Sequence, residues 1–292
     1  YAAFNTNISI GAKGNIVELT AAEQLRNECN TNEESGLYKD IYEENRCVYR
    51  GSNPNNYIEF NDELWRIIAV EADNTLKIIR DESIGKMAFD EAKYRNVEMS
   101  NYCNLASTEG CNAWSSVDNI YSLGLNVTQN ASVNDFLNEN YYNSFDIKWK
   151  DLIIKHNFYV GNIYLEDETT SFPKNLQDAK AILWQGNIGL LNTTDYVSAS
   201  LNENCKNIFW GVDTANYCSD KNYLKTDYLW WTLNGTSANH RSWVWLIDDN
   251  GQILQYHQAA EANEIRPVVF LKTDIYLEGS GMENSPYKIL TE

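Results

Sequence analysis

The chain has 292 residues, 43% hydrophobic and 22% charged, enough for one large domain or one domain with an appended arm. With 23 Lys plus Arg against 41 Asp plus Glu, the net charge of −18 repels phosphate backbones and anionic lipid and argues against a nucleic-acid partner. No stretch reaches the roughly 18 unbroken apolar residues of a membrane helix, so no membrane insertion of the mature chain is expected, and a start at Tyr1 rather than Met predicts a removed leader.

The first segment, YAAFNTNISIGAKGNIVEL, reads as a short strand, a Gly-punctuated turn and a second strand or helix start. Thr20 and Glu23 have the spacing of a capping box ahead of the helix-prone run Ala21 to Arg26. Residues 1–35 are therefore expected to form an N-terminal arm of strand and short helix, with residues 36–292 as the main domain. From Gly36 the pattern turns to β. The run Glu63 to Val70, a turn at Asp73-Asn74 and the run Thr75 to Ile79 predict a hairpin.

Helical spacing returns in VNDFLNENYYNSF, where Val133, Phe136, Leu137 and Tyr141 recur on one face after Ser132. A second amphipathic run covers Ile147 to Ile154, and Ile188 to Leu191 reads as a buried strand leading to Asp195-Tyr196. Four strands close the chain: Tyr228 to Thr232, Ser242 to Ile247, Gln252 to His257 and Arg266 to Leu271. The Asn250-Gly251 step is expected to supply the positive φ angles of a tight hairpin, and Pro267 to mark a strand edge or start.

The six cysteines fall into three sequence-local pairs, Cys29 with Cys47, Cys103 with Cys111 and Cys205 with Cys218. None is in C-x-x-C spacing and the three histidines lie far from them, which disfavours structural zinc. Six cysteines allow fifteen connectivities, of which nearest-neighbour pairing closes short polar loops. Disulfides place the chain in an oxidising, extracytoplasmic compartment.

Five ordered motifs carry a resemblance over roughly residues 36–292. They are LWRIIAVEADNTLKIIRDESIG, IGLLNTTDYVSASLNENC, YLWWTLN, SWVWLIDDNGQI and EIRPVVFLKTDIYLEGSGMENSPYKI. Together they resemble an uncharacterised family of secreted and surface proteins of gut Firmicutes. The resemblance implies an α+β fold of C-type-lectin-like type, with mixed, mainly antiparallel sheets and flanking helices, the scaffold also used by formylglycine-generating enzymes. It also implies an address, secreted or at the surface of a Gram-positive bacterium. In such folds this end of the chain often forms the ligand face.

Trp230, Trp231, Trp243 and Trp245 alternate on adjacent predicted strands, so one set should be core and the other nearer the surface; either all four are core packing, or a partly exposed pair offers a flat apolar platform of the kind sugars and peptides bind. Asn234, Asn239, His240 and Arg241 fall in the loop joining two of those strands, and Tyr256 and His257 close the next hairpin. These residues form the expected ligand-binding set. Calcium is the cofactor to consider for a lectin-like fold, but the Glu-Pro-Asn, Gln-Pro-Asp and Trp-Asn-Asp signatures are missing, and no cofactor is expected.

Enzyme signatures are thin: G-x-S-x-G, G-x-x-x-x-G-K-[ST] and H-E-x-x-H do not occur. A formylglycine-generating oxidase would need a reactive cysteine pair near the C-terminus, whereas the last cysteine is Cys218. The expectation is a non-enzymatic adhesin or recognition module for host or bacterial surface glycans or proteins. The alternative is a structural subunit of a surface fibre or pilus that donates residues 1–10 as a strand to the next copy.

Overall fold

In the computed structural model, which describes residues 18–31, 33–91, 109–115, 130–163, 172–206, 217–236 and 242–290, helix α1 (Ala21–Thr31) starts where its capping box predicts. Thr20 N donates to Glu23 Oε2 at 2.9 Å and Glu23 N donates to Thr20 Oγ1 at 3.4 Å, satisfying two amides at the helix start. Ala21, Ala22, Leu25 and Cys29 are buried, and a disulfide joins Cys29 to Cys47. Helix α1 of the expected arm packs against the core through these side chains. The strand expected within residues 1–17 lies outside the described residues.

The strands of the first half are β1 (Leu37–Lys39), β2 (Cys47–Tyr49), β3 (Tyr57–Phe60), β4 (Glu63–Val70), β5 (Leu76–Arg80) and β6 (Lys86–Ala88). Short helices α2 (Ser132–Asp135), α3 (Tyr142–Ser144) and α4 (Ile147–Lys150) precede β7 (His156–Tyr159) and α5 (Phe172–Lys180). There follow β8 (Leu183–Gly186), β9 (Ile188–Gly189) and α6 (Thr193–Ser198). The C-terminal part holds β10 (Trp230–Gly235), β11 (Trp243–Ile247), β12 (Ile253–Gln258), β13 (Ala262–Glu264), β14 (Val268–Leu271), β15 (Tyr276–Glu278) and β16 (Lys288–Leu290).

Two larger sheets and two two-stranded ribbons, β7–β8 and β15–β16, organise the described strands, giving an α+β fold that is mainly antiparallel. The first runs β1-β2-β4-β5-β14-β9, with β3 also on β4; the second runs β12-β11-β10-β13-β6. One pairing in the second, β10 with β13, is parallel. Strand β4 is buried from Trp65 to Val70 and β14 throughout, the pattern of strands covered on both faces.

The predicted β4–β5 hairpin forms with Ile67 opposite Ile78, and Asn74 takes the left-handed conformation at its turn, with φ of 69°. The β11–β12 hairpin turns differently from the expectation. Only Gly251, at φ of 80°, is left-handed; Asp248 Oδ1 instead fixes the turn by accepting from Asn250 N at 2.9 Å and Gln252 N at 2.6 Å. The Asp248 carboxylate is thereby committed to the backbone of its own turn.

Strand β14 does not join the three strands that precede it in the expected C-terminal series. It leaves β10–β12 and inserts between β5 and β9 in the other sheet, with Pro267 just before its first residue. The single helix expected from Ser132 to Phe145 contains a π-helical stretch, Phe136–Tyr141. Here the Asn138 amide donates to Asn134 O at 3.2 Å and to Ile188 O at 2.9 Å, and accepts from Ile188 N, competing with the helical ladder while tying it to β9.

Disulfides join Cys29–Cys47 and Cys205–Cys218, as nearest-neighbour pairing predicts, and are compatible with an extracellular protein. Cys111 is described and disulfide-bonded, while Cys103 lies outside the described residues. Among the described residues no helix is long and apolar enough to cross a membrane.

Candidate functional site

Arg46 immediately precedes β2, and its side chain is enclosed by four acids drawn from three parts of the chain. Nη1 donates to Asp40 Oδ2 at 2.8 Å, Nε to Glu71 Oε2 at 2.9 Å and Nη2 to Asp195 Oδ1 at 2.7 Å, with Glu43 Oε2 at 3.5 Å. Asp195, in the first turn of α6, accepts through its other oxygen from Lys77 Nζ of β5 at 2.6 Å. Arg46, Lys77, Asp40 and Asp195 are all buried side chains.

Burial alone would weaken proton binding by the Arg46 guanidinium, but Glu71, Asp195, Glu43 and Asp40 outweigh it and hold the group protonated more firmly than usual. For Asp195, burial would raise the carboxyl; Lys77 and Arg46 overcome that and hold it below the ordinary carboxylate range. Such a network contributes little net stability against an apolar core, yet removing one member strands the others at a cost of about 3–5 kcal/mol. It therefore acts as a rigid, pre-organised floor.

That floor lines a cleft of about 520 Å³. One wall is Tyr42, Glu43 and Glu44; the β4–β5 turn supplies Glu71, Ala72 and Asp73; β7 supplies His156, Asn157 and Tyr159; Lys180 and Leu183 close it. His156 is positioned twice over, its ring stacked on Phe270 at 3.9 Å between centroids and its Nε2 2.9 Å from Asp73 Oδ2. Partial burial would raise Asp73, but hydrogen bonds from His156 and Thr75 win and hold it low. Burial, then Glu43 and Glu71, raise the Tyr159 hydroxyl, so Tyr159 stays a neutral donor, 3.4 Å from Glu43 Oε1.

Beside the cleft lies a more apolar shelf of about 530 Å³, formed by Pro173, Leu176, Gln177 and Ala181 and sharing Tyr42 and Lys180 with it. Leu183 at the cleft and Ile41 next to Tyr42 are large apolar side chains left 47% and 73% exposed. The cations of the cleft are already engaged, Arg46 by the acids above and Lys180 by Glu43. Exposed Glu44 and half-exposed Asp73 face outward as acceptors, so the arrangement suits a ligand that brings donors and an apolar or ring face.

The expected ligand-binding set falls elsewhere. Trp230 and Trp231 are fully buried, as is Trp245, so the indoles are packing residues and offer no exposed platform. Trp231 Nε1 donates to Met87 O at 3.1 Å and Trp245 Nε1 to Ile163 O at 3.2 Å. Both faces of β10 are covered because the sheet lies inside the fold, which alternation along a strand cannot reveal. Asn234 is likewise structural: it accepts from Thr193 N at 3.1 Å and donates to Tyr159 O at 3.1 Å and Gly161 O at 2.9 Å, joining α6, β7 and β10.

Trp243 is partly buried, and His257 pairs with Glu261 at 2.9 Å on the surface. Asn239, His240 and Arg241 lie outside the described residues, and of the Tyr256 side chain nothing is described. The residues of the cleft went unrecognised in the sequence. The sequence marks them only indirectly, by Arg46 beside a disulfide cysteine and by the polar run Asn192 to Asp195 directly after the apolar Ile188 to Leu191.

The family described as a domain of unknown function (DUF6273) matches residues 73–273, more than half of the chain, and the chain belongs to it. No curated protein and no solved structure matches.

Proposed function

Starting from membership of that family, we propose that the protein is a non-enzymatic recognition module, secreted or held at the surface of a Gram-positive bacterium, that binds a surface glycan or protein through the Arg46 cleft. Its scaffold, on this reading, is of C-type-lectin-like type. The observation that carries the reading is the cleft itself: a polar recess whose floor is fixed by buried ion pairs and whose rim presents Tyr42, Glu44, Asp73 and His156. A pre-organised rim loses little conformational freedom on binding. Carboxylates accept from sugar hydroxyls or from the amines of a basic peptide, while Tyr42 and exposed Leu183 supply an apolar contact.

The test is binding of the wild-type protein to arrays of glycans and of basic and neutral peptides, repeated with Glu44→Lys. Glu44 is exposed and outside the buried network, so this change leaves the fold intact. Affinity reduced at least tenfold with an unchanged melting temperature supports the cleft. Full binding by the variant removes the cleft from the reading.

A further inference from the structure

A sheet ends on a row of unpaired backbone N–H and C=O groups, which proteins blunt by cover, by shortness or by charge. Most strand edges of the two larger sheets are managed in one of these ways. Strand β9 is two residues long, and the Asn138 side chain takes both backbone groups of Ile188, donating to its carbonyl at 2.9 Å and accepting from its amide at 3.1 Å. Strand β3 is covered by the 281–287 segment: Tyr57 N donates to Gly281 O, Glu59 N to Tyr287 O and Tyr287 N to Tyr57 O, each at 2.8 Å. Strands β1 and β6 have three residues each and carry the exposed Lys39 and Lys86.

Strand β12 has none of these devices. It ends the second sheet, is six residues long, and its run ILQYHQ contains no Lys, Arg, Asp, Glu or Pro. Among the described residues it pairs with β11 alone, and the backbone of Ile253 to His257 makes no further backbone hydrogen bond. Leu254, His257 and Gln258 stay partly exposed. Such an edge is a ready template for one more strand.

The chain itself contains a strand that matches. Residues 4–10, FNTNISI, alternate Phe4, Thr6, Ile8 and Ile10 with Asn5, Asn7 and Ser9, without charge or proline, and run one residue longer than β12. Two copies of net charge −18 repel each other, so contact is favoured where neither strand carries charge. Gly11 and Gly14 separate this run from α1, which packs on β1 and β4 and is bridged to β2 by Cys29–Cys47. The run is thus tethered to the first sheet, whereas the open edge belongs to the second. That placement favours donation to another copy.

We propose that residues 4–10 of one copy add as a strand to β12 of another, joining copies head to tail. Backbone hydrogen bonds supply the affinity and alternate side chains the register. Donor and acceptor are different surfaces, so the contact builds rings or open chains of copies. The contact uses no residue of the Arg46 cleft and stands or falls independently of ligand recognition there.

Hydrogen exchange of the full chain across a dilution series, paired with sedimentation velocity, gives the test. As concentration rises the protein should self-associate, and the amides of Ile253 to Gln258 that β11 leaves unpaired should slow by about tenfold or more. In the double variant Asn7→Pro, Ile8→Pro both effects should vanish with an unchanged melting temperature. One of two neighbouring strand residues must turn its N–H to the acceptor, and proline has none. A synthetic peptide of residues 1–13 added to that variant should restore slow exchange in β12; the same peptide with both prolines should not. A wild type that stays monomeric throughout overturns the proposal, and concentration-independent protection of β12 would then assign the added strand to its own copy. Self-association that survives both prolines overturns it too. The concentration dependence of the wild type decides the matter even if the variant fails to fold.

Discussion

Lys77 Nζ and Asp195 Oδ2 meet at 2.6 Å across 118 positions of sequence, joining the middle of the first sheet to the helix that follows β9. The same carboxylate holds Arg46 through its second oxygen, so Asp195 neutralises two buried cations at once.

Replacing Asp195 by Asn should leave both cations under-compensated and cost about 3–5 kcal/mol in denaturant unfolding. Lys77→Met should cost less, since Asp195 keeps Arg46. In the double variant the two costs should be sub-additive, by about 0.5–3 kcal/mol, because they share one interaction. Strict additivity would mean the pair is not coupled.

Acid should act through the same carboxylate. The native Asp195 binds its proton more weakly than the unfolded chain does, so its contribution is fully present above the unfolded value of about 4. Below that the unfolded state takes up the proton first, and stability falls until the native carboxyl is protonated as well. Unfolding free energy measured from pH 6 down to pH 2 should therefore decline mainly below about pH 4, and less steeply in Asp195→Asn at matched ionic strength. Equal slopes in the two proteins would assign the acid sensitivity to other carboxylates.

The disulfide between Cys29 and Cys47 spans 18 positions and fastens α1 to β2 of the first sheet, between β1 and β4. Changing both cysteines to Ser should lower stability by about 2–4 kcal/mol through the freer unfolded chain. Amide exchange should accelerate first in α1, whose burial rests on Ala21, Ala22 and Leu25. Uniform acceleration across the sheets would show that the bridge acts only globally.

Local features were legible in the sequence where the signal was itself local. Thr20 and Glu23 announced the start of α1, the run from Glu63 to Ile79 announced β4 and β5, and cysteine spacing matched two bridges. What escaped depends on distant partners. Nothing around Arg46 reveals that Asp195 will lie 2.7 Å away, and the cleft draws its walls from residues 42–46, 71–73, 156–159 and 180–183. The tryptophans misled for the same reason. Alternation separates the two faces of a strand, but whether both faces are covered depends on what packs over them, here Phe89 against Trp231 and Tyr196 against Trp230.

The central place of β14 bears on how the molecule comes into being. Its partners β5 and β9 were made long before it, yet they face each other only through Val268 to Leu271. Any truncated product that stops short of those residues leaves two strands with open hydrogen-bonding edges, sticky and without a native mate. Completion of the first sheet therefore waits for Val268 to Leu271, and termination before them should yield aggregates rather than a smaller working protein.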